Sequence, residues 1–202
     1  LNRIKSRTAD EAGSTIPPSS LTREALLRLI AEVGSVYAPP RAEAELLQEF
    51  QTASSVGRVW RRDIGTKRLP RRALEEVLAH IQTESKRILV TDGPGSGKTC
   101  LLLDLLDRLE SGPACAVLFI QGRVYAEART IEERTALGLP GDIRNSVARM
   151  AEYRPVVVIL DSLDVLSLAR EHGVLDFFLG LMDQLSLIPR VTVVAACRNY
   201  DL

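Results

Sequence analysis

The sequence predicts a doubly wound α/β domain with a mostly parallel sheet, preceded by a helical N-terminal segment. Three observations carry this expectation. From Arg87 onward, short apolar runs alternate with helical stretches. Runs such as Val156-Val157-Val158-Ile159-Leu160 are apolar at every position, as in parallel strands covered by helices on both faces. Between the first run and the first helix lies Gly93-Pro94-Gly95-Ser96-Gly97, a turn too glycine-rich for either element.

Each element follows from local pattern. Residues 1–19 are polar and rich in Ser, Thr and Arg, and read as a disordered leader. Residues 20–85 read as a helical appendage or linker. A first helix begins near Ser20 or Thr22 and runs to Gly34 through Leu26, Leu27, Leu29, Ile30 and Val33. Pro39-Pro40 breaks the chain. A second helix over 41–53 carries Leu46, Leu47 and Phe50 on one face. Residues 56–67 look irregular and hold the only tryptophan, Trp60. Pro70 suits the first turn of a third helix, over 70–84, with Leu74, Val77, Leu78 and Ile81 apolar.

Residues 86–202 form the α/β core. Strands are expected over 88–91, 114–121, 156–161 and 191–197. Helices are expected over 99–109, 130–137, 141–152 and 173–187. The chain starts at Leu1 without Met and stops abruptly at Leu202, and so reads as a fragment with an incomplete C-terminal end.

Composition excludes several classes. Lys plus Arg and Asp plus Glu each total 26, for a formal net charge of zero, so no global basic field draws in nucleic acid or a membrane surface. Aromatics are only 4%, which argues against a stacking platform for single strands. Arg58, Arg61, Arg62, Lys67, Arg68, Arg71 and Arg72 form a local basic cluster. It reads first as a solvated face, and second as a docking surface for nucleic acid or a partner. Cys100, Cys115 and Cys197 give neither a disulfide framework nor a metal-ligand spacing; free thiols in a reducing, cytoplasmic compartment are expected. No apolar run is long enough to cross a membrane.

The chemistry concentrates at the glycine-rich turn. A strand, a loop of Gly93, Pro94, Gly95, Ser96 and Gly97, then Lys98, Thr99 and Cys100 opening a helix, is the layout of a phosphate-binding loop. Glycines let successive backbone N–H groups converge on a phosphate, and the helix directs its positive end at the same anion. Lys98 is expected at the β- and γ-phosphates, and the Thr99 hydroxyl on Mg²⁺. One position departs from G-x-x-x-x-G-K-T: Asp92 stands where the first glycine belongs. Asp is expected to manage the turn by reaching a left-handed backbone conformation, while bringing negative charge near the phosphates.

Two further clusters join this one. Asp161 closes an apolar strand, and in open α/β sheets ligands sit beyond the carboxyl ends of the strands. It is therefore the expected Mg²⁺ residue alongside Thr99. Asp164, three residues on, is the nearest acid to orient an attacking water. The last strand ends in Arg198, placed to stabilise charge on a transferring phosphoryl group. The expected catalytic set is thus Lys98, Asp164 and Arg198, with ATP and Mg²⁺ as cofactors.

The phosphate loop, Asp161-Ser162-Leu163-Asp164 and the terminal Cys197-Arg198 together resemble a STAND-type P-loop ATPase within the wider AAA+/ASCE group, with the NACHT branch the nearest match. Residues 69–71 resemble an arginine-containing segment before that core. Two positions depart from the NACHT pattern: Val165 replaces the final Glu, and Asn199 replaces the usual Pro. The resemblance implies strand order 5-1-4-3-2, with strand five and a helical lid beyond Leu202, and strand one left as an edge. It also implies homo-oligomerisation through this module. No guanine-specificity Asn-Lys-x-Asp motif is present, which favours ATP over GTP.

The function these readings imply is a slowly hydrolysing regulatory ATPase module whose nucleotide state controls assembly of a larger signalling or defence protein. A motor or loader on nucleic acid, and a nucleotide-binding scaffold with little turnover, are the alternatives.

Overall fold

The computed structural model describes residues 42–60, 62, 71–83, 85–163 and 173–198. The expected leader, the first helix of the appendage and Asp164 lie outside the described residues.

In chain order the elements are helix α1 (Glu43–Ser54), a 3-10 turn (Ser55–Val59), α2 (Arg72–Gln82), β1 (Arg87–Asp92), α3 (Lys98–Glu110) and β2 (Ala116–Gln121). A second 3-10 turn (Gly122–Tyr125), α4 (Ile131–Ala136), α5 (Ile143–Tyr153), β3 (Val156–Asp161), α6 (Gly173–Ser186) and β4 (Val191–Arg198) follow. The four strands pair in parallel in the order β1-β4-β3-β2. This is the expected doubly wound sheet, with β1 at one edge.

Side-chain alternation distributes the core between two layers. On one face, Val156, Val158 and Leu160 of β3 pack with Leu46 and Phe50 of α1, Val147 and Met150 of α5, and Phe178 and Leu185 of α6. On the other, Val157 and Ile159 meet Leu102, Leu103, Leu105 and Leu106 of α3 and Val77 of α2. Every residue of β2 and β3 is buried. β1 is not: its residues alternate between exposed and partly covered, and Leu89 keeps 48% of its surface.

The boundaries have local causes. Asp142 caps α5 by accepting the Asn145 N–H at 3.0 Å. Thr130 and Glu133 form a reciprocal capping box at α4, and the backbone N–H groups of Thr130 and Arg129 hold the Glu133 carboxyl below its ordinary range. The stretch expected to be irregular after α1 begins with the 3-10 turn, where Gly57 packs directly on Phe119. β2 starts two residues later than its pattern suggests, at the point where Ala116 donates to Pro155 O at 2.8 Å. β1 and β4 each extend one residue further at the C-terminal end, because Asp92 and Arg198 pair across the sheet, and β1 also starts one residue earlier, where Arg87 pairs with Val193.

Of the basic cluster, the described members engage carboxylates of the chain itself. Arg58 meets Glu110 at 2.7 Å, Arg62 meets Asp107 at 2.8 Å, Arg71 meets Asp104 at 2.7 Å, and Arg72 faces Glu76 at 3.6 Å. Cys100, Cys115 and Cys197 are all free thiols. Burial pushes the Cys115 thiol above its ordinary value.

Candidate functional site

The site forms where β1, β3 and β4 end together. β1 runs out at Asp92, and the chain turns through Gly93 and Pro94. Gly95 and Gly97 take φ of 74° and 89°, the left-handed conformations that glycine adopts without a Cβ penalty. Gly97 then caps α3, and its carbonyl accepts the first helical bond from Leu101 N–H at 2.9 Å.

Asp92 corrects one expectation. It does not take a left-handed conformation: it is the last residue of β1, and its Oδ1 accepts the Gly93 N–H at 2.7 Å. The loop turns at Gly95 and Gly97 instead, so the missing first glycine is not needed for backbone freedom at position 92.

Lys98 and Thr99 open α3 and face the same cavity. Lys98 Nζ donates to the carbonyls of Asp92 and Gly93, each at 2.8 Å, and approaches Ser96 Oγ at 3.4 Å. Thr99 Oγ1 donates to Asp161 Oδ1 at 3.1 Å, joining the loop to the tip of β3. Ser162 Oγ donates to the other carboxylate oxygen at 3.0 Å. Asp161 is only 1% exposed. Burial pushes its carboxyl above the ordinary value, and the Thr99 and Ser162 hydroxyls partly oppose that. Gln121, its register partner on β2, is also buried, and its side-chain amide approaches the same carboxylate and opposes the rise as the two hydroxyls do.

The cavity has a volume of about 270 Å³ and is lined by Pro94, Gly95, Gly97, Lys98, Thr99, Asp161, Ser162, Ala196 and Arg198. Arg198 is thus brought to the site, in register with Asp92 across β1 and β4. Gly93, Ser96 and Cys100 do not line it. Gly93 and Ser96 contact Lys98, and Cys100 lies one residue further along α3. Ser162 and Ala196 are lining residues that the sequence reading missed. The unusual φ of Ser162 leaves no trace in composition or periodicity.

The donor set fits a hard divalent cation. A hydroxyl and a buried carboxylate 3.1 Å apart offer oxygen ligands beside a backbone cradle for phosphate. Mg²⁺ characteristically uses one or two carboxylates with phosphate oxygens and water, not an all-protein cage. Among the described residues, no group of three or more acids, histidines or cysteines that could hold a metal occurs.

A family model for the ATPase family associated with various cellular activities (AAA) matches residues 88–202. The chain belongs to this AAA ATPase family. Membership makes it a P-loop protein of the nucleotide-binding ATPase class, and the match covers the loop, Asp161 and Arg198 together. No curated protein matches the chain. Among solved structures, a crystal structure titled as a DNA replication initiation factor is similar, with 19% identity and a TM-score of 0.45 over 64% of this chain. The AAA chain described here spans 37% of the length of that one. Among its described residues, no helix is long and apolar enough to cross a membrane.

Proposed function

We propose that this AAA chain binds ATP with Mg²⁺ and hydrolyses it slowly, as the regulatory module of a larger protein. The observation that carries the reading is the hydrogen bond from Thr99 Oγ1 to Asp161 Oδ1. It unites the two residues expected to hold the cation at the mouth of the phosphate loop, although 62 positions separate them in sequence.

Each residue has a role in this reading. Residues 95–99 bind the phosphates through backbone N–H groups and the Lys98 ammonium. Thr99 and Asp161 hold Mg²⁺, which neutralises phosphate charge when bound. Arg198, which lines the same cavity, stabilises negative charge on the transferring group. Asp164 orients the attacking water. Slow turnover is supported by the chain itself: Val165 stands where the NACHT pattern has Glu. Nucleotide state is proposed to control homo-oligomeric assembly, as the STAND and NACHT resemblance implies. In this organisation, residues 86–202 are the nucleotide core and residues 1–85 a leader and helical appendage.

A loader acting on nucleic acid is the weaker reading. The described arginines of the basic cluster, Arg58, Arg62, Arg71 and Arg72, already meet carboxylates of the same chain.

The direct test is equilibrium binding of ATP and GTP to the wild type and to Lys98→Ala. Loss of charged hydrogen bonds worth about 1.5–3 kcal/mol weakens ATP binding by roughly ten- to a hundredfold. Unchanged ATP affinity in Lys98→Ala would remove the phosphate-loop assignment.

A further inference from the structure

Ser162 stands immediately beyond β3 with φ of 61°. That is the left-handed region, which strains a non-glycine residue. The turn does not itself call for serine, because glycine adopts the same conformation freely. What serine adds is a hydroxyl, and that hydroxyl donates to Asp161 Oδ2 at 3.0 Å. The backbone N–H of Ser162 reaches the same carboxylate.

The consequence is geometric. Thr99 holds Oδ1 from α3, and Ser162 holds Oδ2 from the turn after β3. The terminal torsion of an aspartate is otherwise broad and soft. Held at both oxygens by different elements, the carboxylate plane is fixed. Ser162 also lines the cavity.

We infer that Ser162 is a positioning residue for the divalent cation: its hydroxyl fixes the Asp161 carboxylate so that Oδ1 faces the phosphate loop. This rests on the nucleotide-binding reading above and adds to it a residue that acts through Asp161. It also accounts for a strained turn at this point, since a left-handed backbone aims the hydroxyl back at the residue before it. Removing a partner that orients a metal ligand typically weakens metal affinity by about 10–100-fold.

The test titrates Mg²⁺ against ATP binding in the wild type, Ser162→Gly and Ser162→Ala. Glycine removes the hydroxyl and relieves the strain, whereas alanine removes the hydroxyl alone. Both variants are expected to raise the half-saturating Mg²⁺ concentration about tenfold. ATP binding in EDTA is expected to stay unchanged, which a general loss of structure would not allow. Thermal unfolding without nucleotide checks that each variant is folded; if Ser162→Ala is not, Ser162→Gly decides alone. Wild-type Mg²⁺ dependence in Ser162→Gly overturns the assignment and leaves only a strained turn. A wild-type protein whose ATP binding ignores Mg²⁺ overturns the cation site itself, and that result is visible before any variant is made.

Discussion

Ser54 Oγ accepts a hydrogen bond from the backbone N–H of Phe119 at 2.9 Å, and both residues are buried. Phe119 lies in β2, the edge strand opposite β1. Exposed edges invite pairing with other chains, and covering an edge with a helix is one natural remedy. Here the C-terminal end of α1 supplies the cover, and its serine takes an N–H that no neighbouring strand can take. Ser54→Ala leaves that donor buried and unpaired. The expected loss is about 1–3 kcal/mol, read as a lower denaturation midpoint in urea with an unchanged slope. An unchanged midpoint would mean that water reaches Phe119 N–H.

Gly57 sits in the 3-10 turn that follows. A Cβ there would fall 2.6 Å from Phe119 Cε1 and 3.0 Å from Leu103 Cδ2. Both neighbours belong to a packed core with no room to retreat. Gly57→Ala is expected to destabilise by about 1–3 kcal/mol through overpacking. Thermal unfolding measures it, and a variant as stable as the wild type would show that the turn can shift outward.

Tyr125 is 1% exposed, and its hydroxyl has no hydrogen-bond partner. Burial pushes the phenol up to about 12. Tyr125→Phe removes only the unpaired group, so stability is expected to hold or rise by up to about 1 kcal/mol. The folded phenol titrates above its unfolded value of 10.0. Wild-type stability is therefore fully present below pH 10.0 and falls as pH rises toward about 12. Tyr125→Phe should lose less stability over that window; parallel losses in the two proteins would place the alkaline sensitivity elsewhere.

Asp161 titrates above its ordinary 3.8 because it is buried, so ionising it opposes folding. The sign is the same as for Tyr125: the favourable contribution is complete below pH 3.8 and is lost as pH rises through the raised folded value. Asp161→Asn cannot ionise. Without nucleotide it should match the wild type at pH values below 3.8 and become the more stable of the two toward neutrality. The same variant should bind ATP with no benefit from Mg²⁺. A variant less stable than the wild type at neutral pH would show that the charged carboxylate is well accommodated.

How much of this was legible in the sequence depends on the range of the interaction involved. The strands announce themselves as apolar runs, and their parallel order follows from helices inserted between them. Lys98, Thr99, Asp161 and Arg198 were legible because strand tips converge in an open α/β sheet, so spacing alone gathers them. Ser54 was not, because a side chain bonded to a backbone 65 residues away leaves no period and no motif. Ser162 was hidden for a different reason: it was visible as a letter in a motif, but its backbone conformation was not. Asp92 misled because a consensus glycine suggests a need for backbone freedom that Gly95 and Gly97 already meet.

Asp104, in the second turn of α3, receives Arg71 at 2.7 Å and Arg62 at 3.4 Å, while Arg62 also reaches the carbonyl of Leu103 at 2.8 Å. The Arg71 guanidinium passes within 3.6 Å of the point where a Cβ on Gly97 would lie. The helix that presents Lys98 and Thr99 is thereby anchored to residues upstream of the sheet, not only to its own strand. Through Asp104, the first two turns of one helix thus tie the upstream segment to the ammonium and hydroxyl at the helix tip.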